Sequence, residues 1–419
     1  MSLTMREKQA VTRQMATEYA KATKKQKGRI LDSLTELTGY NRSYAARVLR
    51  QRAKPVVLGR TTVNGKKVTV VADGQTRPQK KKRRRRKIYG KDVLVALQKV
   101  WVVCDGICGK RLAPYLEEIV PVLERLGELT LDGETKRKLI GISPATIDRM
   151  LAPARKRYQL RARSQTKPGT LLKHQIPIRT FSEWDDMQPG FVEVDLVSHE
   201  GGDARGDYAY TLDATDVCTA WTETEAVRNR SQMHVFDGLE KALSRFPFAI
   251  RGIHSDNGGE FINNHLVRYC VEREITFTRS RPYRKNDNCF VEQKNYSVVR
   301  RAVGYRRYDT SEELETLNGL YGPLRLFTNY FQPSMKLIEK TRRGSKVHKK
   351  YDKAKTPYQR VLDCKTLSKE AQEDLKKTYA SLNPAKLGRQ ISRLQDRIDA
   401  LVEAKREAQE TLNLEYIST

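Results

Sequence analysis

The sequence predicts a multidomain chain with a helical N-terminal region, an α/β core on a mixed sheet, and a helical, basic C-terminal region. Three observations carry this prediction. Apolar residues recur at helical spacing through most of the chain up to Ala152. Short, alternating, strand-like runs then occupy the stretch from Phe191 to Thr278, separated by two helical segments. Finally, 80 Lys and Arg against 50 Asp and Glu give a formal net charge of +30 over 419 residues. A chain of this length holds roughly two to four domains. Its charge excess attracts a polyanion, of which nucleic acid is the commonest, and is far from what a metabolic enzyme needs.

The first block, residues 1–55, reads as a helix-turn-helix. Ile30, Leu31, Leu34 and Leu37 share one helical face, Gly39 breaks the pattern, and Tyr44, Ala45, Ala46, Val48 and Leu49 resume it. Arg42, Arg47 and Arg50 on the second helix are candidate DNA contacts. Residues 56–90 form a hairpin and a basic linker. Asn64-Gly65 signals a tight turn between two β-rich runs. The linker carries an unbroken cationic run, Lys80, Lys81, Lys82, Arg83, Arg84, Arg85, Arg86 and Lys87, too self-repelling to pack and suited to phosphates.

A second helical block covers residues 91–155. Near its end Ser143 suits an N-cap and Pro144 the first helical position, so Thr146 and Arg149 fall on a candidate recognition helix. Residues 156–182 are polar and aperiodic, as expected of a linker. After the core at 183–305, a basic region covers 306–380, with a helix at 311–331 and an irregular stretch at 336–360. The tail, 381–412, is a coiled-coil-like helix with a seam of Leu387, Ile391, Leu394, Ile398 and Leu401. That seam fits either a dimer contact or a helix packed on its own chain.

Six scattered cysteines make no disulfide framework, and the close pair Cys104 and Cys108 has no nearby histidine to complete a zinc site. No stretch approaches ~18 consecutive apolar residues, and the N-terminus lacks a signal-peptide core. The expectation is a soluble intracellular protein with no membrane attachment.

The core holds the chemistry. Phe191, Glu193 and Asp195 alternate with Val192, Val194 and Leu196 along the first strand. Two further strands follow, at 208–212 ending in Asp213 and at 219–224 after a turn at Asp216. A helix at 231–245 leads to a strand at 249–254 and then to Asp256. A second helix at 264–272, a strand at 276–278 and a polar loop deliver Glu292 into the first turn of another helix. Asp195, Asp256 and Glu292 are thus stationed on fixed elements. Three carboxylates in such positions can converge to hold two divalent cations, with hard oxygens suited to Mg²⁺ or Mn²⁺. Glu193 is an alternative to Asp195 as first ligand, whereas Asp213 and Asp216 read as turn formers.

Asp195, Asp256 within His254-Ser255-Asp256-Asn257-Gly258-Gly259-Glu260-Phe261, and Glu292 after a 35-residue spacer resemble the DDE triad of transposases with a retroviral-integrase-type core. Asn257-Gly258 and Asn288 are similar to the insertion-sequence branch of that family. The resemblance covers roughly 185–305. It implies an RNase H-like fold, dependence on Mg²⁺ (or Mn²⁺), cleavage of element ends and strand transfer into target DNA. By the same resemblance Lys294 and Arg300 would contact the DNA end. The implied protein is a transposase of a bacterial insertion sequence, cytoplasmic and nucleoid-associated, working on DNA as a homodimer or higher oligomer. The zinc-binding domain of retroviral integrases has no counterpart, so end recognition would fall to the helix-turn-helix blocks. The rival readings are a catalytically silent DNA-binding regulator and an RNase H-like nuclease.

Overall fold

The computed structural model describes residues 3–52, 56–63, 66–72, 88–156, 188–256, 258–280, 288–364 and 366–417. The cationic run at 80–87, the Asn64-Gly65 turn and most of the linker at 156–182 lie outside them. Contacts divide the chain into two compact units, 1–87 and 88–419.

The first unit opens with three helices, α1 (Met5–Lys21), α2 (Lys24–Thr38) and α3 (Arg42–Arg52). Helix α1 starts in a reciprocal cap between Thr4 and Glu7. Gly39, at φ 68°, terminates α2 in the left-handed conformation that a side chain would oppose. Ala16, Tyr19, Leu34, Ala45 and Leu49 close a small core. Strands β1 (Val56–Val63) and β2 (Lys66–Ala72) then pair antiparallel, as the hairpin signal requires.

The second unit begins with helices α4 (Lys91–Val103), α5 (Gly109–Leu112), α6 (Leu116–Arg125), α7 (Gly133–Ile140) and α8 (Pro144–Arg155). The sheet follows: β3 (Phe191–Ser198), β4 (Tyr210–Asp216), β5 (Thr222–Val227), helix α9 (Gln232–Leu243), β6 (Gly252–Ser255), helix α10 (Asn264–Glu272) and β7 (Thr276–Arg279). Strand order is β5-β4-β3-β6-β7, antiparallel from β5 to β3 and parallel from β3 to β7. The predicted mixed sheet is therefore present. Strand β4, however, runs on through Asp216, so Asp213 is a mid-strand residue and not a turn former. Asp216 does form the turn, accepting the Gly190 and Thr219 amides at 2.8 and 2.7 Å.

A continuous helical stretch comes next: α11 (Cys289–Lys294), a π-helical segment (Asn295–Arg300) and α12 (Arg301–Val303). Helix α13 (Ser311–Phe331) covers the sheet, and buried Glu223 on β5 binds both Arg245 beyond α9 and Arg325 on α13. The segment expected to be irregular instead forms a hairpin, β8 (Leu337–Arg343) and β9 (Lys346–Tyr351), followed by α14 (Pro357–Asp363). Helix α15 (Lys369–Ser381) precedes α16 (Pro384–Ile417).

The separate blocks suggested by the sequence from residue 91 onward share one hydrophobic core, which runs from Val93 to Ile398. Helix α16 lies along α13, and Leu387, Ile391 and Ile398 are buried there. Lys405 on α16 reaches Asp309 and Glu313 at 2.8 and 2.7 Å. The heptad seam is thus satisfied within the chain. Ile398→Asp is expected to cost about 3–5 kcal/mol, since it places a carboxylate among apolar side chains. Thermal unfolding measures this. A change of oligomeric state with unaltered melting would instead mean that the seam serves a second copy.

Candidate active site

The parallel pairing of β3 with β6 builds the site. Register sets Val194 opposite Ser255, so Asp195 follows on β3 and Asp256 comes just past the end of β6 beside it. Both are half-buried. Burial pushes the Asp195 carboxyl up to about 8, and the neighbouring charges of Asp256 and Asp213 add to it. Asp195 Oδ1 accepts the Leu196 amide at 2.8 Å, and Oδ2 accepts Asn295 Nδ2 at 2.7 Å. Asp256 Oδ1 accepts the Gly258 amide at 2.8 Å.

Glu193 behaves differently. It is fully buried, and its Oε2 accepts the amides of Phe290 and Val291 at 2.8 and 2.9 Å. These are among the first amides of α11, which lack partners within the helix. Burial raises the Glu193 carboxyl to about 8 despite those two bonds, with Glu292 and Asp195 adding repulsion. One residue beyond Val291, Glu292 is exposed in the first turn of α11. The helix is therefore tied to β3 at two points, by Glu193 ahead of Glu292 and by Asn295 behind it. Asn295 also begins the π-helical segment, a helix irregularity frequent at functional sites.

Asp213 lies directly across from Asp195 in the β3–β4 register and is fully buried. Thr215 donates to its Oδ1 at 3.0 Å, while Oδ2 is buried without a hydrogen-bond partner. Burial lifts Asp213 to about 7, and the charge of Lys294 opposes the rise. The sequence ends this strand at Leu212 and so reads Asp213 as a turn former. In the fold the strand continues through Asp216, α11 packs against it, and Thr211 meets Tyr321 of α13.

The donor chemistry of Asp195 and Asp256 fits a hard divalent cation, which would offset their mutual repulsion. Among the described residues, no three His, Cys, Asp or Glu side chains are grouped closely enough to hold a metal. Two of the three expected ligands are thus brought together, and Glu292 stands on the adjoining helix.

The expected DNA contacts divide. Arg42, Arg47 and Arg50 are exposed on α3, with Arg42 in an ion pair with Asp32 and Arg47 over the Tyr44 ring. Helix α8 begins as anticipated, with Ser143 as N-cap accepting the Thr146 amide, and Arg149 is exposed. Lys294 and Arg300 are engaged inside the protein. Lys294 is half-buried beside Asp213, and burial lowers it to about 8. Arg300 donates to the Ser198 and Gly304 carbonyls at 2.7 and 3.2 Å and lies over the Tyr305 ring.

The family comparison places an integrase core on this sheet. The family model for the integrase core domain matches residues 185–285, a span that includes Asp195 and Asp256 and stops before Glu292. The chain is 39% identical over 334 residues to the uncharacterized protein y4rM of Sinorhizobium fredii (strain NBRC 101917 / NGR234), covering 80% of this chain and 89% of that protein. It belongs to one family with that protein, and its residues 185–285 carry an integrase core domain. Solved structures with weaker likeness include the catalytic core domain of BIV integrase (17% identity, TM-score 0.29, 42% of this chain and 94% of that one). Another is the HTLV-2 integrase catalytic core in complex with magnesium in a dimeric form (12% identity, TM-score 0.27, 35% and 91%). No helix among the described residues is long and apolar enough to cross a membrane.

Proposed function

We propose that this protein is the transposase of a bacterial insertion sequence, cutting the element's ends and joining them to target DNA. The observation that carries the reading is the neighbouring placement of Asp195 on β3 and Asp256 just past the end of the adjacent parallel strand β6, within the matched integrase core. Glu292 is the proposed third carboxylate. Together they would hold Mg²⁺ or Mn²⁺, which when bound supplies Lewis-acid stabilisation of phosphate charge.

The chain's own residues prepare that site. Asn295 fixes the orientation of Asp195, and Glu193 fixes the start of the helix that presents Glu292. The nucleophiles are water and then a DNA 3′-hydroxyl, so no covalent protein intermediate forms. End recognition is assigned to α3 through Arg42, Arg47 and Arg50, to α8 through Thr146 and Arg149, and to the cationic run at 80–87. Because two ends must be processed together, the working form is a dimer or larger assembly on DNA, in the bacterial cytoplasm at the nucleoid.

Incubation with labelled element-end DNA, target DNA and Mg²⁺ tests the reading. Joined products are expected from the wild type and none from Asp256→Asn. Sequence-specific binding without cleavage would establish the rival regulator. Nicking of any sequence without joining would establish a nuclease.

A further inference from the structure

The hairpin of β8 and β9 is not used by the core. Six cations, Lys340, Arg342, Arg343, Lys346, Lys349 and Lys350, lie between Leu337 and Tyr351 with a single carboxylate, Glu339. Every side chain described in that span is exposed, including Ile338 at 62% and Val347 at 46%. Gly344, at φ 60°, takes the first position of the two-residue turn Gly344-Ser345, where a side chain would be strained.

The described side chains of Arg342, Lys349 and Lys350 are exposed on the ribbon, and Glu339, the one carboxylate of the span, stands opposite Lys350 in the register. A lone two-stranded hairpin is marginal in water. Among the described residues, Arg342, Lys349 and Lys350 make no ion pair. The ribbon is nonetheless firmly rooted. Asp352 at its base accepts the Lys336 amide and Arg360 Nη1 at 2.6 and 2.7 Å, and Arg360 Nη2 donates to the Ser334 carbonyl at 2.9 Å. Lys336 Nζ donates to the Val217 carbonyl at 2.6 Å, in the turn between β4 and β5. A rigidly based, two-stranded cationic ribbon has the dimensions that the major groove of a DNA duplex, about 12 Å wide, admits.

We infer that the β8–β9 ribbon is a duplex-DNA-binding element, its cations set along the phosphates flanking a groove. This rests on the proposed action on DNA and adds a contact surface beyond α3, α8 and the cationic run. The test uses the full-length protein and a short labelled DNA duplex, with affinity followed by fluorescence anisotropy across a salt series. Combined Arg342→Gln, Lys349→Gln and Lys350→Gln should lower affinity about tenfold and flatten the log–log salt slope by up to ~2.7, one increment per lost phosphate contact. Arg342→Lys with Lys349→Arg and Lys350→Arg should stay near wild type. Acetylation read by mass spectrometry should show Lys349 and Lys350 shielded by DNA in the wild type. All three sites are exposed, so matched thermal melts will separate lost contact from lost folding.

Wild-type slope and affinity in the glutamine variant, with both lysines still acetylated on DNA, would overturn the ribbon's role and leave the transposase reading intact. Failure of the wild type to bind any duplex DNA would overturn both. Loss confined to an RNA probe would also overturn it, by assigning the ribbon to a different nucleic acid.

Discussion

Replacement of Asp195 by asparagine is expected to lower DNA strand joining at least about a thousandfold while leaving the protein as stable as before, or more so. The loss follows from the proposed ligand role, because removing one charge from a metal-holding pair forfeits several kcal/mol of transition-state stabilisation, about 4 kcal/mol for three decades. The stability result follows from the opposite sign of the same charge in the metal-free protein. The Asp195 carboxyl is raised to about 8 by burial and by Asp256 and Asp213, well above its value in an unfolded chain. The folded state therefore holds that proton longer than the unfolded state does. Below about pH 4 neither form is ionised and the site costs nothing. Stability is then lost as pH rises through the interval up to about 8, because only the unfolded chain ionises freely. Asparagine does not titrate, so melting of the variant and the wild type in a chelator should coincide near the acid end and diverge upward in the variant's favour. Joining that persists in the variant, or a variant that melts lower at pH 8, would remove Asp195 from the site.

The parts of this molecule that were legible in the sequence share a property: their signal is local and their face is apolar. Val192 and Val194 announced β3, and the run from Ala249 to His254 announced β6, so the sequence alone places Asp195 within one strand and Asp256 just past the end of its neighbour. Ser143 and Pro144 announced the start of α8 for the same reason. What escaped were polar groups buried by distant elements. Asp213 resembles a turn residue until α11 and α13 are laid over its strand. Glu193 alternates with valines like any strand residue, and only the arrival of α11 gives its carboxylate two amides to accept. The β8–β9 ribbon hid for a different reason. Its charges masked the alternation, although Gly344-Ser345 between two β-capable runs was a usable hairpin signal. The seam of α16 was visible, but periodicity alone does not say whether the covering surface comes from the same chain.

Glu193 gives the second large effect, and it also decides between the two acids of β3. Glu193→Leu would leave the Phe290 and Val291 amides without their acceptor beneath a buried Val291. An unsatisfied buried donor costs about 1–3 kcal/mol, so the pair together should lower stability by about 2–6 kcal/mol. The helix carrying Glu292 would lose one of its two ties to β3, and misplacement of a reacting group by about 1 Å costs on the order of a hundredfold in rate. Glu193→Gln has the contrary expectation. Its amide oxygen can accept both N–H groups, and it matches the protonated carboxyl that burial favours at neutral pH. Melting and joining should therefore stay close to wild type in Glu193→Gln and fall together in Glu193→Leu. The informative departure is a Glu193→Gln protein that melts normally yet joins no DNA. That result would show the negative charge itself to be needed and would transfer the first ligand from Asp195 to Glu193. Paired with the asparagine variant at position 195, it separates a carboxylate that holds a cation from one that holds a helix.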